Sequence, residues 1–265
     1  MNNRDNLLNM LKGRPTESIP LIFCGFLDEK TTHKFAPPEC YDENTYYIPS
    51  DDPLRDVFSP ELRTAESRKA AVNLGHYLDC ATMGVGKGGL LPFAHGGPGE
   101  IQPKVIERGE NYKILEYEGG HWRRIHYRPH SIHYYNFPVT TAADLEKLVL
   151  PDMLDPARFR DVEEDCRTLK EAGLVPTGSI QGFFSGIHNS FMAFEDTLVN
   201  LMLEPDFMRD VTARLARMSL DAARMILDRG VEIIDVADDL GNAASADNVA
   251  TVTINVNPIN DEPTA

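Results

Sequence analysis

The sequence predicts an α/β protein. Short apolar runs at residues 19–26, 77–85, 174–180 and 231–237 alternate with helical stretches. Each run is continuously apolar, as strands covered on both faces require, so they are expected to lie parallel in a sheet flanked by helices. Gly173 and Gly230 sit where helices leading into the third and fourth runs should end.

Residues 4–11 give the first amphipathic helix, with Leu7, Leu8 and Leu11 on one side and Gly13 to Pro15 ending it. IPLIFCGF at 19–26 then reads as a short buried strand. Residues 28–60 are rich in Pro, Asp and aromatic side chains without a period, which suits a long loop over an active face. A helix over 60–75 leads into the second strand at 77–85. Residues 105–127, VIERGENYKILEYEGGHWRRIHY, differ from the rest: β-rich segments broken by Gly and Asn turns predict an antiparallel hairpin insertion. Residues 141–148 and 156–173 are helical, followed by the third strand at 174–180. Pro205 opens a helix to about Arg229, whose Phe207, Val211, Leu215, Met218, Ala222, Met225 and Ile226 keep one stripe. The fourth strand, 231–237, delivers Asp238 and Asp239 into a loop.

A chain of 265 residues with 42% hydrophobic content can bury a full core. A net charge of -15 repels phosphate backbones, which disfavours general nucleic-acid binding. Cys24, Cys40, Cys80 and Cys166 are scattered without a CxxC pair, the pattern of reduced thiols. The chain starts without an apolar signal region, and no apolar run reaches membrane-spanning length. A cytoplasmic protein is therefore expected, with no membrane partner.

Five segments in order carry a family resemblance. They are R-x6-L-x-G-x5-I-P at Arg4, Leu11, Gly13, Ile19 and Pro20, LDCATMG at 78–84, PTGSIQGFFSG at 176–186, EPDFMRDVTARL at 204–215, and ADDLG at 237–241. Over residues 3–242 the chain resembles the uroporphyrinogen decarboxylase superfamily, which includes cobalamin-linked methyltransferases. The resemblance implies a (β/α)8 TIM barrel that binds substrate at the C-terminal ends of its strands, here truncated after about four strands. It implies decarboxylation or methyl transfer on a tetrapyrrole or corrinoid-linked substrate, a tetrapyrrole or corrinoid protein as partner, and a homodimer. A corrinoid or zinc would be the cofactor of a methyltransferase. The later strands, a late His and the zinc-binding His and Cys of that family have no counterpart, so the chain as written is expected to be inactive. Two Arg positions that hold substrate carboxylates in the decarboxylases fall near Gly25 and Glu29, their Asp near Gly86, and their Tyr near Ser190. The resemblance thus implies the superfamily more than it implies decarboxylation.

Asp235, Asp238 and Asp239 follow or end the fourth strand, where barrel enzymes place acids and bases. Adjacent carboxylates in a partly dry mouth have split proton affinities, which suits acid-base work; a helix N-cap or turn acid is the structural alternative. HWRRIHYRPHSIH at 121–133 is a positive island in an acidic chain. Arg123, Arg124 and Arg128 can fork onto substrate carboxylates, or simply balance neighbouring Glu. Strand alternation separates His126 and His130 from His121 and His133, so no metal site is expected there. His188 and Asn189, past the third strand, are candidate substrate contacts, while Phe183, Phe184, Phe191 and Phe194 suit packing. Gly84, Gly86 and Gly89 match a dinucleotide fingerprint in spacing, but Leu90, Leu91 and Pro92 follow where a helix should open, which suits a loop at the barrel mouth. Ser185 and His188 lack the spacing of a nucleophile elbow.

Residues 243–265 change character. ATVTINVNPINDEPTA alternates polar and apolar residues before Pro258 and resembles the last strand and linker of cadherin-like repeats of bacterial surface proteins. Asn260 and Asp261 would be its calcium-linker acids. The eighteen residues from Asn248 to Ala265 cannot complete such a domain. Two other readings follow, a ligand-binding module without catalysis and a chimeric structural protein.

Overall fold

The computed structural model describes residues 3–22, 34, 36–41, 64–85, 104–127 and 129–238. Two sheets organise them. Strands β1 (Thr82–Gly84), β6 (Val175–Gln181) and β7 (Ile233–Ala237) form a parallel sheet in the order β1-β6-β7. Strands β2 (Lys104–Arg108), β3 (Tyr112–Glu116), β4 (Trp122–Tyr127) and β5 (His130–Tyr135) form an antiparallel meander in chain order. The predicted hairpin insertion is therefore four strands, because the segment after Tyr127 folds back on β4 with His130 opposite Tyr127.

Helix α1 (Asn3–Leu11) lies where the amphipathic pattern predicts it. Leu7 is buried with Ala81 and Val175, but Leu11, at the helix's last position, faces solvent. Asn6 holds the following turn: its amide donates to Ser18 and its carbonyl accepts from the Glu17 N–H. The predicted first strand is reduced, among the described residues, to one parallel bridge from Leu21 to Cys80, and 23–26 lie outside them. Helix α2 (Ala65–Tyr77), capped by Thr64, extends past the predicted boundary, so the second strand starts only at Thr82. The closed (β/α)8 barrel implied by the resemblance is not seen: the described parallel strands make an open sheet of three.

The helices of the main core pack on one face of this sheet, opposite the face that α1 covers. Helix α3 (Ala142–Lys147) carries a capping box between Thr141 and Asp144. A 3-10 turn (Pro156–Phe159) precedes α4 (Val162–Glu171), which ends at Gly173 with φ +77°, a left-handed conformation that glycine adopts without strain. Helices α5 (Phe183–Gly186) and α6 (Phe194–Leu203) flank a π-turn at Ile187–Phe191. Helix α7 (Pro205–Leu227) buries Val211, Leu215, Met218, Ala222 and Ile226 of the predicted stripe in the main core with Leu169, Leu174 and Phe191, while the predicted Phe207 and Met225 are only partly buried and Met208, outside the stripe, is buried instead. The sheet meets α2 so closely that a Cβ on Gly75 would lie 2.9 Å from Leu174 Cδ1. Arg158, nearly buried, ties the 3-10 turn before α4 to the antiparallel sheet through a bidentate pair with Glu118 in the β3–β4 turn.

Candidate functional site at the ends of the parallel strands

Register separates the sheet's faces. Met83, Val85, Pro176, Gly178, Ile180 and Ile234 share the face toward the helices. Thr82, Thr177, Ser179 and Asp235 share the other, so β6 and β7 are not the uniformly apolar strands that the sequence predicts. Near the N-terminal end of that second face, α1 covers Val175 and Ile233. Toward the C-terminal end the face is polar and partly open: Asp235 is exposed, and the Ser179 hydroxyl lies 3.5 Å from its carboxylate.

Asp238 follows β7 directly. Its two carboxylate oxygens accept from the N–H groups of Phe184 at 3.1 Å and Ser185 at 2.8 Å. These are early donors of α5, whose own N-cap, Gly182, has no side chain to satisfy them. A carboxylate more than fifty residues downstream thus takes the capping role and fixes the β6 exit loop to the end of β7. Asp239, the third predicted acid, lies outside the described residues.

The π-turn places His188 and Asn189 beyond α5, both half-buried. The His188 ring stands edge-on to Phe184 at 5.0 Å and to Phe194 at 5.3 Å between centroids. Phe191 is fully buried, whereas Phe183 and Phe194 are half exposed and so only partly serve packing. In the same turn the Ser190 hydroxyl is buried without a hydrogen-bond partner. π-turns recur at functional sites, and this one had no counterpart in the sequence reading. The usable signal for the polar face was the alternation Thr177, Ser179, Gln181 within an otherwise apolar run.

The predicted arginines are not brought together. Alternation along β4 puts Arg123 on the buried face, its guanidinium 4.2 Å from the Tyr117 ring centre and 4.8 Å from that of Tyr134. Arg124 is exposed on the opposite face, and Arg128 lies outside the described residues. The histidine faces need a correction. The turn after Tyr127 resets the alternation, so His126 and His133 are ring neighbours at 5.8 Å, while His121 is buried and stacked on Tyr117. Among the described residues no three His, Cys, Asp or Glu side chains converge as metal ligands. Cys40, Cys80 and Cys166 are free and buried, and burial pushes the Cys166 thiol up to about 11.

A groove of about 670 Å³ lies between α3 and α7, lined by Glu146, Asp210, Arg214 and Arg217 among others. Arg214 pairs there with Glu146 at 3.7 Å. No described helix is long and apolar enough to cross a membrane.

No protein-family model matches the sequence, and no curated protein matches it. Among solved structures, a methyltransferase from Methanosarcina mazei is similar to this chain with a TM-score of 0.48 and 12% sequence identity, over 88% of this chain and 58% of that one. The chain thus spans less than two thirds of that structure's length.

Proposed function

We propose that the chain is a methyl-transfer enzyme of the uroporphyrinogen decarboxylase type, acting at the C-terminal ends of β1, β6 and β7. The observation that supports this choice is charge. The polar face of the sheet leads, past the end that α1 covers, to two carboxylates at the described strand ends, Asp235 and Asp238. A substrate with several carboxylates would be repelled there, and the positions where the decarboxylases carry arginine fall near Gly25 and Glu29. A methyl donor with positive charge on nitrogen or sulfur would be attracted.

In this reading Asp235 faces the donor's cationic centre, and Ser179 orients the carboxylate from the neighbouring strand. Asp238 is a positioning residue that holds the β6 exit loop, and with it His188 and Asn189, at the rim. The methyl group leaves the donor heteroatom, which keeps the bonding electron pair, and the nucleophile supplies the new pair. A reduced corrinoid is the acceptor that the resemblance implies, and no step is routed through zinc.

The test mixes the chain with cob(I)alamin and either tetramethylammonium or trimethylsulfonium and follows methylcobalamin absorbance. Turnover that Asp235→Asn abolishes at an unchanged melting temperature supports the reading. Release of carbon dioxide from uroporphyrinogen, or no methyl transfer from either donor, overturns it.

A further inference from the structure

One face of the antiparallel sheet gathers Tyr112 from β3, Trp122, Arg124 and His126 from β4, and His133 and Tyr135 from β5. Arg124 sits among rings: its guanidinium carbon is 5.2 Å from the Tyr112 centroid and 5.7 Å from that of Tyr135. His126 lies 5.7 Å from Tyr112, and Trp122 meets Tyr135 edge-on at 5.8 Å. Arg124 and His133 are exposed and the other four half-buried.

The acids of this face are already engaged. Glu107 accepts from the Tyr112 hydroxyl. Glu116 accepts from the Trp122 indole N–H at 3.5 Å and lies 4.0 Å from Lys104. Among the described residues no carboxylate pairs with Arg124. A guanidinium that rests on aromatic faces keeps its N–H fork available for a planar or tetrahedral oxyanion. The Tyr135 hydroxyl, shut from water, also makes no hydrogen bond. Arg124 is thus a guanidinium cushioned on rings in a chain of net charge -15.

We propose that this sheet face binds a small molecule that joins a planar ring to a single phosphate or carboxylate. The fork of Arg124 takes the anionic group, and the ring stacks against the aromatic side chains beside it. Aromatic faces reward any planar π-system, while Arg124 selects those with an oxyanion. The chain's overall negative charge selects against polyanions, because each further phosphate meets the long-range repulsion while only one guanidinium is offered. The site is independent of the methyl-transfer reading and is tested by binding alone.

Trp122 is the chain's single tryptophan and stands on this face, so its fluorescence reports occupancy. The probes are adenosine monophosphate and nicotinate, with adenosine, inorganic phosphate and a single-stranded oligodeoxynucleotide as comparisons. Saturable quenching by adenosine monophosphate or nicotinate is expected, and which of them binds more tightly separates phosphate from carboxylate. Adenosine and inorganic phosphate should bind about ten-fold more weakly, since each keeps only half of the recognition. Arg124→Gln should weaken binding about ten-fold at an unchanged melt, as the side chain is exposed. If that variant melts lower, Arg124→Lys serves instead, keeping the charge and losing the fork, with the same loss expected. No saturation by either ring-bearing anion to about 10 mM overturns the proposal. Equal binding by the wild type and both Arg124 variants, or tighter binding of the oligodeoxynucleotide than of either small anion, overturns it as well.

Discussion

Asp238 answers a need that the residues around α5 leave open. Gly182 ends β6 and starts the helix without a side chain, so the Phe184 and Ser185 N–H groups look elsewhere and find a carboxylate from the neighbouring strand. Two charge-assisted hydrogen bonds replace an ordinary N-cap. Asp238→Ala should therefore lower stability by about 1 kcal/mol, and Asp238→Asn, which keeps one acceptor oxygen, by less. Urea midpoints at equal slope would measure both. An unchanged midpoint in the alanine variant would mean that the two hydrogen bonds contribute nothing to stability. The acid's position at a strand end was legible in VEIIDVADDLG, but its partner was not. Nothing local links residue 238 to residues 184 and 185, and only the parallel pairing of β6 with β7 brings them together.

At the scale of elements, patterns with a period survive folding best. Helix α7 was legible because a polar side opposes its buried stripe, and the antiparallel strands because Gly and Asn turns punctuate them. Helix α6 was not, since FEDTLVNLML is apolar around most of its circumference and the structure buries Thr197 while leaving Leu198, Met202 and Leu203 exposed. The ion pair that joins α2 to α4 was equally invisible, being 97 residues apart in sequence. There the Arg68 Nε donates to Asp165 at 2.8 Å, and one terminal nitrogen reaches Asp161 at 3.4 Å. The Asp165 side chain is wholly buried, so removing the arginine takes away the cation that offsets its charge there. Arg68→Met should cost about 3 kcal/mol, and adding Asp165→Leu should restore most of it, because an apolar pair of similar volume has no charge to desolvate. Chemical denaturation of the two variants and the wild type decides the matter. A double variant no more stable than Arg68→Met would show that the pair's value lies in packing rather than charge.

Across the whole molecule, one acid ties the start of the described chain to its last strand. Glu232, just before β7, accepts from Arg4 of α1 at 2.5 and 2.9 Å and lies 3.3 Å from Lys170 of α4. Helix and strand were each legible by themselves, with no sign that α1 would close beneath β6 and β7. That closure follows from the shared burial of Leu7 and Val175 and from this carboxylate. Burial by itself would push Glu232 up, but the hydrogen bonds and attraction of Arg4 and Lys170 outweigh it and hold the carboxyl below its ordinary range. A depressed carboxylate stabilises the fold fully above its unfolded value, about 4.3, and loses that contribution as pH falls through the lower folded value. Thermal melts of the wild type and Glu232→Gln should therefore differ by a constant amount between pH 7 and about pH 5, and converge below about pH 4. Because Asp144 and Glu164 are also held low by local hydrogen bonds, both proteins will lose stability in acid, and only the narrowing gap reports Glu232. A gap that stays constant to about pH 3 would mean that the carboxylate's charge does not hold α1 to the sheet.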